Sequence, residues 1–149
     1  MSDNYSLILK NGSCYIDGKL TKVDLGLSGK KIKKIGKIEL NSSKVFDATN
    51  KVILPGIIDT QVHFREPGST DAEDLESGSR AAVLGGVTSL FEMPNTNPPT
   101  SNLVEFEKKL QLAKDRMHSN YAFYFGATPE NTEQLSQLKN LKGCCGIKL

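Results

Sequence analysis

Long apolar segments are missing from this chain of 149 residues. No apolar run approaches the roughly 20 residues that a helix needs to cross a bilayer. The first residues, Met1-Ser2-Asp3-Asn4, also lack the basic stretch and apolar core of a secretory signal. The sequence therefore predicts a cytoplasmic protein that has no membrane partner.

A strong excess of one charge is also lacking, since 19 Lys and Arg face 17 Asp and Glu. Such a balance favours neither nucleic acid nor an anionic membrane. Lys30, Lys31, Lys33, Lys34 and Lys37 crowd one hairpin, which could bind nucleic acid, but the hairpin lacks aromatic residues that stack on bases. We interpret it as a solvated hairpin and expect no nucleic-acid partner, because edge lysines also discourage strand pairing between molecules.

Cysteines are few, odd in number and without a Cys-any-any-Cys spacing. They are Cys14 and the adjacent pair Cys144 and Cys145. This pattern argues against disulfides and zinc ribbons. We predict that the cysteines serve as small apolar core residues in a reducing compartment.

The chain is too short for a complete barrel of eight strand–helix units, which takes about 250 residues. Residues 1–54 contain short β segments separated by Asn11-Gly12, Asp17-Gly18 and Ser28-Gly29, which tolerate positive φ. The predicted segments are 5–10, 13–16, 21–27, 31–35, 45–47 and 51–54. We predict a small β-sheet domain over 1–54.

From residue 55 onward, helices alternate with strands, at roughly 30 residues for each pair. A capping box of Thr70 and Glu73 predicts a helix that ends at Gly85-Gly86, and Asn102 predicts the start of another. The remaining predicted elements are strands over 87–93, 121–126 and 143–149 and a helix opened by Thr128 and Pro129. The predicted fold class is α/β, with residues 55–149 forming the first three to four βα units of an incomplete (β/α)8 (TIM) barrel.

One buried strand turns polar at its carboxyl end, in the segment Pro55-Gly56-Ile57-Ile58-Asp59-Thr60-Gln61-Val62-His63-Phe64-Arg65-Glu66-Pro67-Gly68. Barrel enzymes carry their chemistry at that end of their strands. Because strand side chains alternate between faces, Gln61, His63 and Arg65 should project together, away from Val62 and Phe64. Alternatively, His63 taken alone fills the barrel interior and forms a hydrogen bond with a neighbour. The three polar groups indicate a candidate site.

This segment resembles the metal-site signature of the amidohydrolase superfamily, dihydroorotases in particular, and departs from it at Gln61, where the family has a second His. Residues 1–54 are similar to the β-sandwich that precedes the barrel in that superfamily. The resemblance implies Zn²⁺ as cofactor, with His63 as a ligand and position 61 as a ligand position. A neutral Gln amide is a poor zinc ligand, so the signature is present but altered.

The resemblance also implies that Arg65 and Asn95 bind the carboxylate of the substrate, a pair that allantoinases and dihydropyrimidinases generally lack. An Arg offers two parallel hydrogen bonds to a carboxylate. Alternatively, Arg65 forms a surface ion pair with Glu66 or Asp71, and Asn95 is a turn residue.

Lys148, in Gly146-Ile147-Lys148-Leu149, matches the family strand whose lysine is carbamylated in many members and bridges two metals. An unmodified ammonium has no lone pair for a metal, so the alternative is a solvated lysine. His118, the other histidine, lies at a helix end and should interact with the helix dipole.

By resemblance, the activity is reversible closure of carbamoyl aspartate to dihydroorotate in pyrimidine biosynthesis, with a catalytic Asp that this chain does not contain. We expect the chain alone to be inactive, so whether it is an enzyme stays open. Two alternatives are a non-catalytic dihydroorotase-like partner, for example of aspartate transcarbamoylase, and a truncated gene product. An incomplete barrel leaves strand edges uncovered, which predicts a homo-oligomer or association through those edges.

Overall fold

A computed structural model describes residues 4–39 and 44–149 of the chain. The chain divides into two compact units, Met1–Pro55 and Gly56–Leu149. Within the described residues, none of the helices is long and apolar enough to cross a membrane.

The first unit is built of short strands in two sheets. They are β1 (Leu7–Lys10), β2 (Ser13–Ile16), β3 (Lys19–Lys22), β4 (Asp24–Ser28), β5 (Lys31–Gly36), β6 (Val45–Asp47) and β7 (Val52–Ile53). One sheet has the order β5-β4-β1-β6 and the other the order β3-β2-β7. Tyr5, Ile8 and Ile38 form a small buried cluster in this unit. Positive φ angles at Asn11, Asp17 and Gly29 confirm the predicted turns.

The prediction of one strand over 21–27 was wrong. The chain there forms two strands in different sheets, because β3 pairs with β2 while β4 pairs with β1 and β5. The lysine-rich segment is β5, an exposed strand at the edge of its sheet, as predicted.

The second unit alternates parallel strands with helices. Its elements are β8 (Ile57–Val62), α1 (Leu75–Leu84), β9 (Val87–Glu92), α2 (Leu103–Ala113), β10 (Asn120–Gly126), a 3₁₀ helix (Pro129–Asn140) and β11 (Cys144–Lys148). The strands pair in parallel in the order β8-β9-β10-β11. This arrangement confirms the predicted α/β class and the partial barrel.

The core of this unit lies between the sheet and the helices. Its buried members are Phe64, Leu75, Leu90, Phe106, Ala113, Phe123, Phe125 and Leu138. Phe106 of α2 makes an edge-to-face contact with Phe123 of β10, with ring centroids 6.5 Å apart. Ile57 and Ile58 of β8 and Ile147 of β11, in the two edge strands of the sheet, are exposed.

Two helix predictions need correction. Helix α1 is capped by Asp74 and Ser77, not by Thr70 and Glu73, because the residues before Asp74 form turns. The segment opened by Thr128 and Pro129 is a 3₁₀ helix. By contrast, Asn102 caps α2 as predicted, since its Oδ1 accepts a hydrogen bond from the Glu105 backbone N–H at 2.9 Å.

All three cysteines are free thiols, which agrees with the prediction of no disulfide. Cys14 is buried, whereas Cys144 and Cys145 are half-buried. Burial raises the pKa of the Cys145 thiol to about 11, so this thiol is protonated at neutral pH.

Candidate functional site at the carboxyl ends of β8 and β9

A β-bulge shapes the end of β8. Asp59 pairs with Leu90 of β9 and Val62 pairs with Glu92, so three steps along β8 match two along β9. The Asp59 Oδ1 accepts a hydrogen bond from the Gln61 backbone N–H at 2.9 Å across this irregularity. Bulges of this kind change the direction in which the following side chains point.

From Gln61 to Glu66, more exposed and more buried side chains alternate. Gln61, His63 and Arg65 are exposed, whereas Phe64 and Glu66 are only 5% and 7% exposed. Phe64 belongs to the core on the helix side of the sheet. The three polar residues therefore share the face of the sheet that lies opposite the helices.

His63 and Asn95 are in direct contact across the two strand ends. The His63 Nδ1 lies 2.8 Å from the Asn95 Oδ1. An amide oxygen accepts hydrogen bonds, so in the neutral imidazole this contact assigns the proton to Nδ1 and leaves Nε2 with a lone pair. The Asn95 amide nitrogen retains both of its N–H donors for another group. The alternative of Asn95 as a turn residue alone does not account for this contact.

The Arg65 side chain is exposed and makes no hydrogen bond or ion pair within the described part of the chain, although the Arg65 carbonyl oxygen accepts the Ser69 backbone N–H at 2.8 Å. The alternative of an ion pair with Glu66 is wrong, because Glu66 points to the helix side and pairs there with Arg116 at 2.7 Å. Asp71 does not pair with Arg65 either. The guanidinium fork is therefore available to a ligand carboxylate.

Lys148 is exposed on β11, the strand farthest from β8 in the sheet. It is in register with Gly126 of β10. In β10, Phe123 and Phe125 point to the core, so Tyr124 and Gly126 point to the opposite face of the sheet. Residues in register share a face of a sheet, so Lys148 projects from the same face as the site. It contacts neither His63 nor Gln61, and its role as a carbamate ligand stays a prediction.

The donor set does not fit a zinc ion by itself. Within residues 4–39 and 44–149, no group of three or more His, Cys, Asp or Glu side chains could hold a metal. The side chains at the end of β8 supply one imidazole nitrogen, the His63 Nε2, next to the Gln61 amide. Zinc sites usually have three or four nitrogen, sulfur or carboxylate ligands.

The prediction for His118 was wrong. Its Nε2 lies 2.8 Å from the Glu76 Oε1, and its backbone N–H donates to the Ser79 Oγ at 3.1 Å. These contacts connect the segment after α2 to α1. His118 has a specific carboxylate partner, and no helix dipole is needed to explain its position.

A buried ion pair that was not predicted from the sequence lies behind the site. The Lys109 Nζ lies 2.9 Å from the Glu92 Oε2, and both side chains are at most 2% exposed. Burial raises the pKa of Glu92 to about 7, although Lys109 opposes this shift. Burial also lowers the pKa of Lys109. The sequence contains a signal for the burial of Lys109, because this residue follows Phe106 by three positions and precedes Ala113 by four, on the apolar stripe of α2.

Comparisons with known proteins agree with this architecture. The family model described as Dihydro-orotase-like matches residues 50–149. A dihydroorotase of Lactobacillus gasseri is 37% identical over 131 residues, which cover 88% of this chain and 30% of that protein. An allantoinase of Desulfitobacterium hafniense is 36% identical over 146 residues, which cover 97% of this chain and 32% of that protein.

Among solved structures, an L-hydantoinase (dihydropyrimidinase) from Arthrobacter aurescens superposes with a TM-score of 0.86 at 28% identity. The match covers 96% of this chain and 32% of that one. The chain thus spans about a third of the length of the relatives that it matches.

Proposed function

This chain belongs to the dihydroorotase-like family of cyclic amidohydrolases, and we propose that it provides the carboxylate-binding part of an enzyme that acts on dihydroorotate and carbamoyl aspartate. In this proposal Arg65 grips the ligand carboxylate through two N–H donors, and the Asn95 amide adds a third. The reaction would belong to pyrimidine biosynthesis, in the cytoplasm.

The observation that carries the proposal is the unpaired state of Arg65. The exposed Arg65 guanidinium has no partner among residues 4–39 and 44–149, and it lies on the same face as the His63–Asn95 contact. Hydrogen bonds to a charged group contribute about 1.5–3 kcal/mol each, so this group can select ligands that carry a carboxylate. His63 would present its Nε2 lone pair to the ligand or to a metal that further residues complete.

A pair of ligands that differ only in the carboxylate tests the proposal. Dihydroorotate and dihydrouracil share the ring, and isothermal titration of each would measure the contribution of the carboxylate. We expect dihydroorotate to bind about 10–100-fold more tightly, and Arg65→Met to abolish the difference. Arg80→Met, which removes an exposed arginine of α1 that pairs with Glu76, is the matched control.

Three outcomes would reject the proposal. They are equal affinity for the two ligands, no binding of dihydroorotate at millimolar concentration, and tighter binding of allantoin than of dihydroorotate. Allantoin is included because an allantoinase is nearly as similar to this chain as the dihydroorotases are.

A second candidate, a non-catalytic dihydroorotase-like partner protein, is favoured by one residue. Gln61 occupies the exposed position next to His63 on the same face and offers an amide in place of an imidazole. On this hypothesis the protein shows no turnover of dihydroorotate and binds Zn²⁺ only weakly. Gln61→His should then tighten Zn²⁺ binding, whereas Gln137→His, at an exposed position of the 3₁₀ helix, should not. Turnover by the unaltered protein would remove this candidate.

We also propose that the protein associates with itself or with another chain through the second unit. The support is the set of exposed apolar residues in the two edge strands of the sheet, which are Ile57 and Ile58 of β8 and Ile147 of β11. A monomer that stays in solution at high micromolar concentration, as judged by gel filtration with light scattering, would contradict this proposal.

A further inference from the structure

Lys109 is a lysine whose entire side chain is buried in the middle of α2, with 0% exposure. Removing an ammonium from water is costly, and a buried ion pair seldom repays that cost in stability. The partner carboxylate does not fully compensate, because neither Glu92 oxygen has a hydrogen-bond partner of good geometry within the described residues. A charged residue at this position therefore calls for a role besides packing.

The hydrogen bonds of Lys109 lead to one loop. Its Nζ donates to the Met93 carbonyl oxygen at 3.2 Å and to the Thr100 Oγ1 at 3.3 Å. Met93 and Thr100 immediately precede and follow residues 94–99, the loop that leaves the carboxyl end of β9. One ammonium thus ties both ends of this loop to α2.

Further hydrogen bonds involve Thr100, one of the two residues that Lys109 contacts. The Thr100 backbone N–H donates to the Pro94 carbonyl oxygen at 2.9 Å, and the Thr96 Oγ1 lies 3.3 Å from the Thr100 Oγ1. The Thr100 carbonyl oxygen accepts from the Gly126 N–H at 2.9 Å, which joins the loop to the end of β10. Thr100 is 1% exposed, so few water molecules can replace these bonds.

Asn95 is carried by this loop. Its Oδ1 accepts the His63 Nδ1 hydrogen at 2.8 Å, so the position of the loop decides whether that bond forms. A hydrogen bond at Nδ1 fixes both the tautomer and the ring orientation of a histidine. A displacement of Asn95 by about 1 Å would bring the two atoms out of hydrogen-bonding distance.

We propose that Lys109 is a positioning residue for the candidate site: its buried ammonium fixes the loop 94–99 so that Asn95 holds His63 as the Nδ1–H tautomer with Nε2 free. The proposal rests on the proposed function only in taking His63 and Asn95 as members of the binding site. Glu92 supplies the counter-charge that keeps the ammonium in the interior.

Nitrogen-15 NMR of the imidazole rings in the ligand-free protein tests this role directly. The chain contains two histidines, and His118, held by Glu76 of α1, serves as an internal reference. In the unaltered protein, we expect the His63 Nδ1 to be protonated. Lys109→Met should raise the Nε2–H population of His63 several-fold and leave the His118 signals unchanged, and Asn95→Ala should give the same shift.

The matched control is Lys108→Met, which removes the neighbouring lysine of α2, an exposed residue that pairs with Glu105. It should leave both histidines unchanged. If Lys109→Met alone does not fold, the double variant Lys109→Met/Glu92→Leu removes the uncompensated carboxylate and should show the same His63 shift.

An unchanged His63 tautomer in a folded Lys109 variant would overturn the proposal. Equal changes at His63 and His118 would also overturn it, because they would indicate general loosening of the unit. The measurement needs no ligand and is therefore independent of the binding test. If dihydroorotate fails to bind but the tautomer shifts as expected, the proposed function is rejected and the positioning role of Lys109 stands.

Discussion

Arg116 and Glu66 join the end of the signature segment to the region just after α2, with the Arg116 Nη1 2.7 Å from the Glu66 Oε1. The other carboxylate oxygen of Glu66 accepts the Leu75 backbone N–H, in the first turn of α1, at 2.9 Å. Glu66 thus connects three segments on the helix side of the sheet, directly after Arg65 on the open side. This carboxylate also raises the pKa of Arg116, chiefly through the hydrogen bond.

Replacing this carboxylate should destabilise the second unit. Glu66 is 7% exposed, so Glu66→Gln leaves Arg116 without its closest counter-charge and weakens the cap of α1. We expect a loss of about 1–3 kcal/mol in the free energy of unfolding, measured by urea denaturation. Glu105→Gln, which breaks the exposed pair with Lys108, should cost less than about 1 kcal/mol. Equal losses in the two variants would contradict this account.

Gly78 should not tolerate a side chain. A Cβ at this buried position of α1 would lie 2.5 Å from the Phe64 Cε1 and 3.0 Å from the Glu73 Cδ. Gly78→Ala should therefore push Phe64 out of place and cost about 1–3 kcal/mol, despite the better helix propensity of alanine. Gly85→Ala, at the end of the same helix with nearest contacts of 3.4 Å, should change stability by less than about 0.5 kcal/mol. Thermal unfolding of both variants checks the comparison, and a stabilised Gly78→Ala protein would refute it.

Asn131 should be a strong structural residue, although it lies in a 3₁₀ helix. Its Nδ2 donates to the carbonyl oxygens of Ser101 and Gly126 at 2.6 and 2.9 Å, and its Oδ1 accepts the Thr128 N–H at 2.9 Å. Asn131→Ala leaves these backbone groups unsatisfied, so we expect a loss of about 2–3 kcal/mol in urea denaturation. Asn140→Ala, at an exposed position of the same helix, should have little effect. Similar losses would show that the network is not important for stability.

The stability of the protein should depend on pH through Glu92. Burial raises its pKa from 4.5 to about 7, Lys109 lowers it, and Glu66 and Glu73 raise it further. Between these two values the folded state binds more protons than the unfolded state, so the contribution of Glu92 to stability is present below pH 4.5 and is lost as the pH rises through about 7.

The full contribution of the raised Glu92 pKa to the free energy of unfolding is about 3 kcal/mol at most. Urea denaturation across this pH range should show a steeper decline for the unaltered protein than for Glu92→Gln, which cannot titrate at this position. Apart from Lys109, which loses its counter-charge in the variant, the other titrating groups are common to both proteins. Identical pH dependence would contradict a raised pKa at Glu92.

The sequence predicted those features that depend on neighbouring residues. The alternation of polar and apolar residues from Gln61 to Glu66 predicted which side chains are exposed together, because strand geometry has a period of two. The cap at Asn102 and the turn at Asn11-Gly12 were also predicted, since a few residues determine them. Where several possible capping or turn residues lie close together, the local sequence does not decide between them. For this reason the cap of α1 is Asp74 instead of the predicted Thr70, and the predicted strand over 21–27 is two strands.

Contacts between distant residues were decided by the tertiary structure. The pairings of Glu66 with Arg116, His63 with Asn95, and Lys109 with Glu92 join segments that are 50, 32 and 17 residues apart. The order and register of the parallel strands, and the packing of α2 on them, decide which of many possible polar partners meet. The sequence by itself thus determined the family signature, the strand–helix alternation and the unusual Gln61. Burial and register are properties of the whole sheet. For this reason only the folded chain decided that the Arg65 side chain has no partner among the described residues and that Lys109 lies buried behind the site.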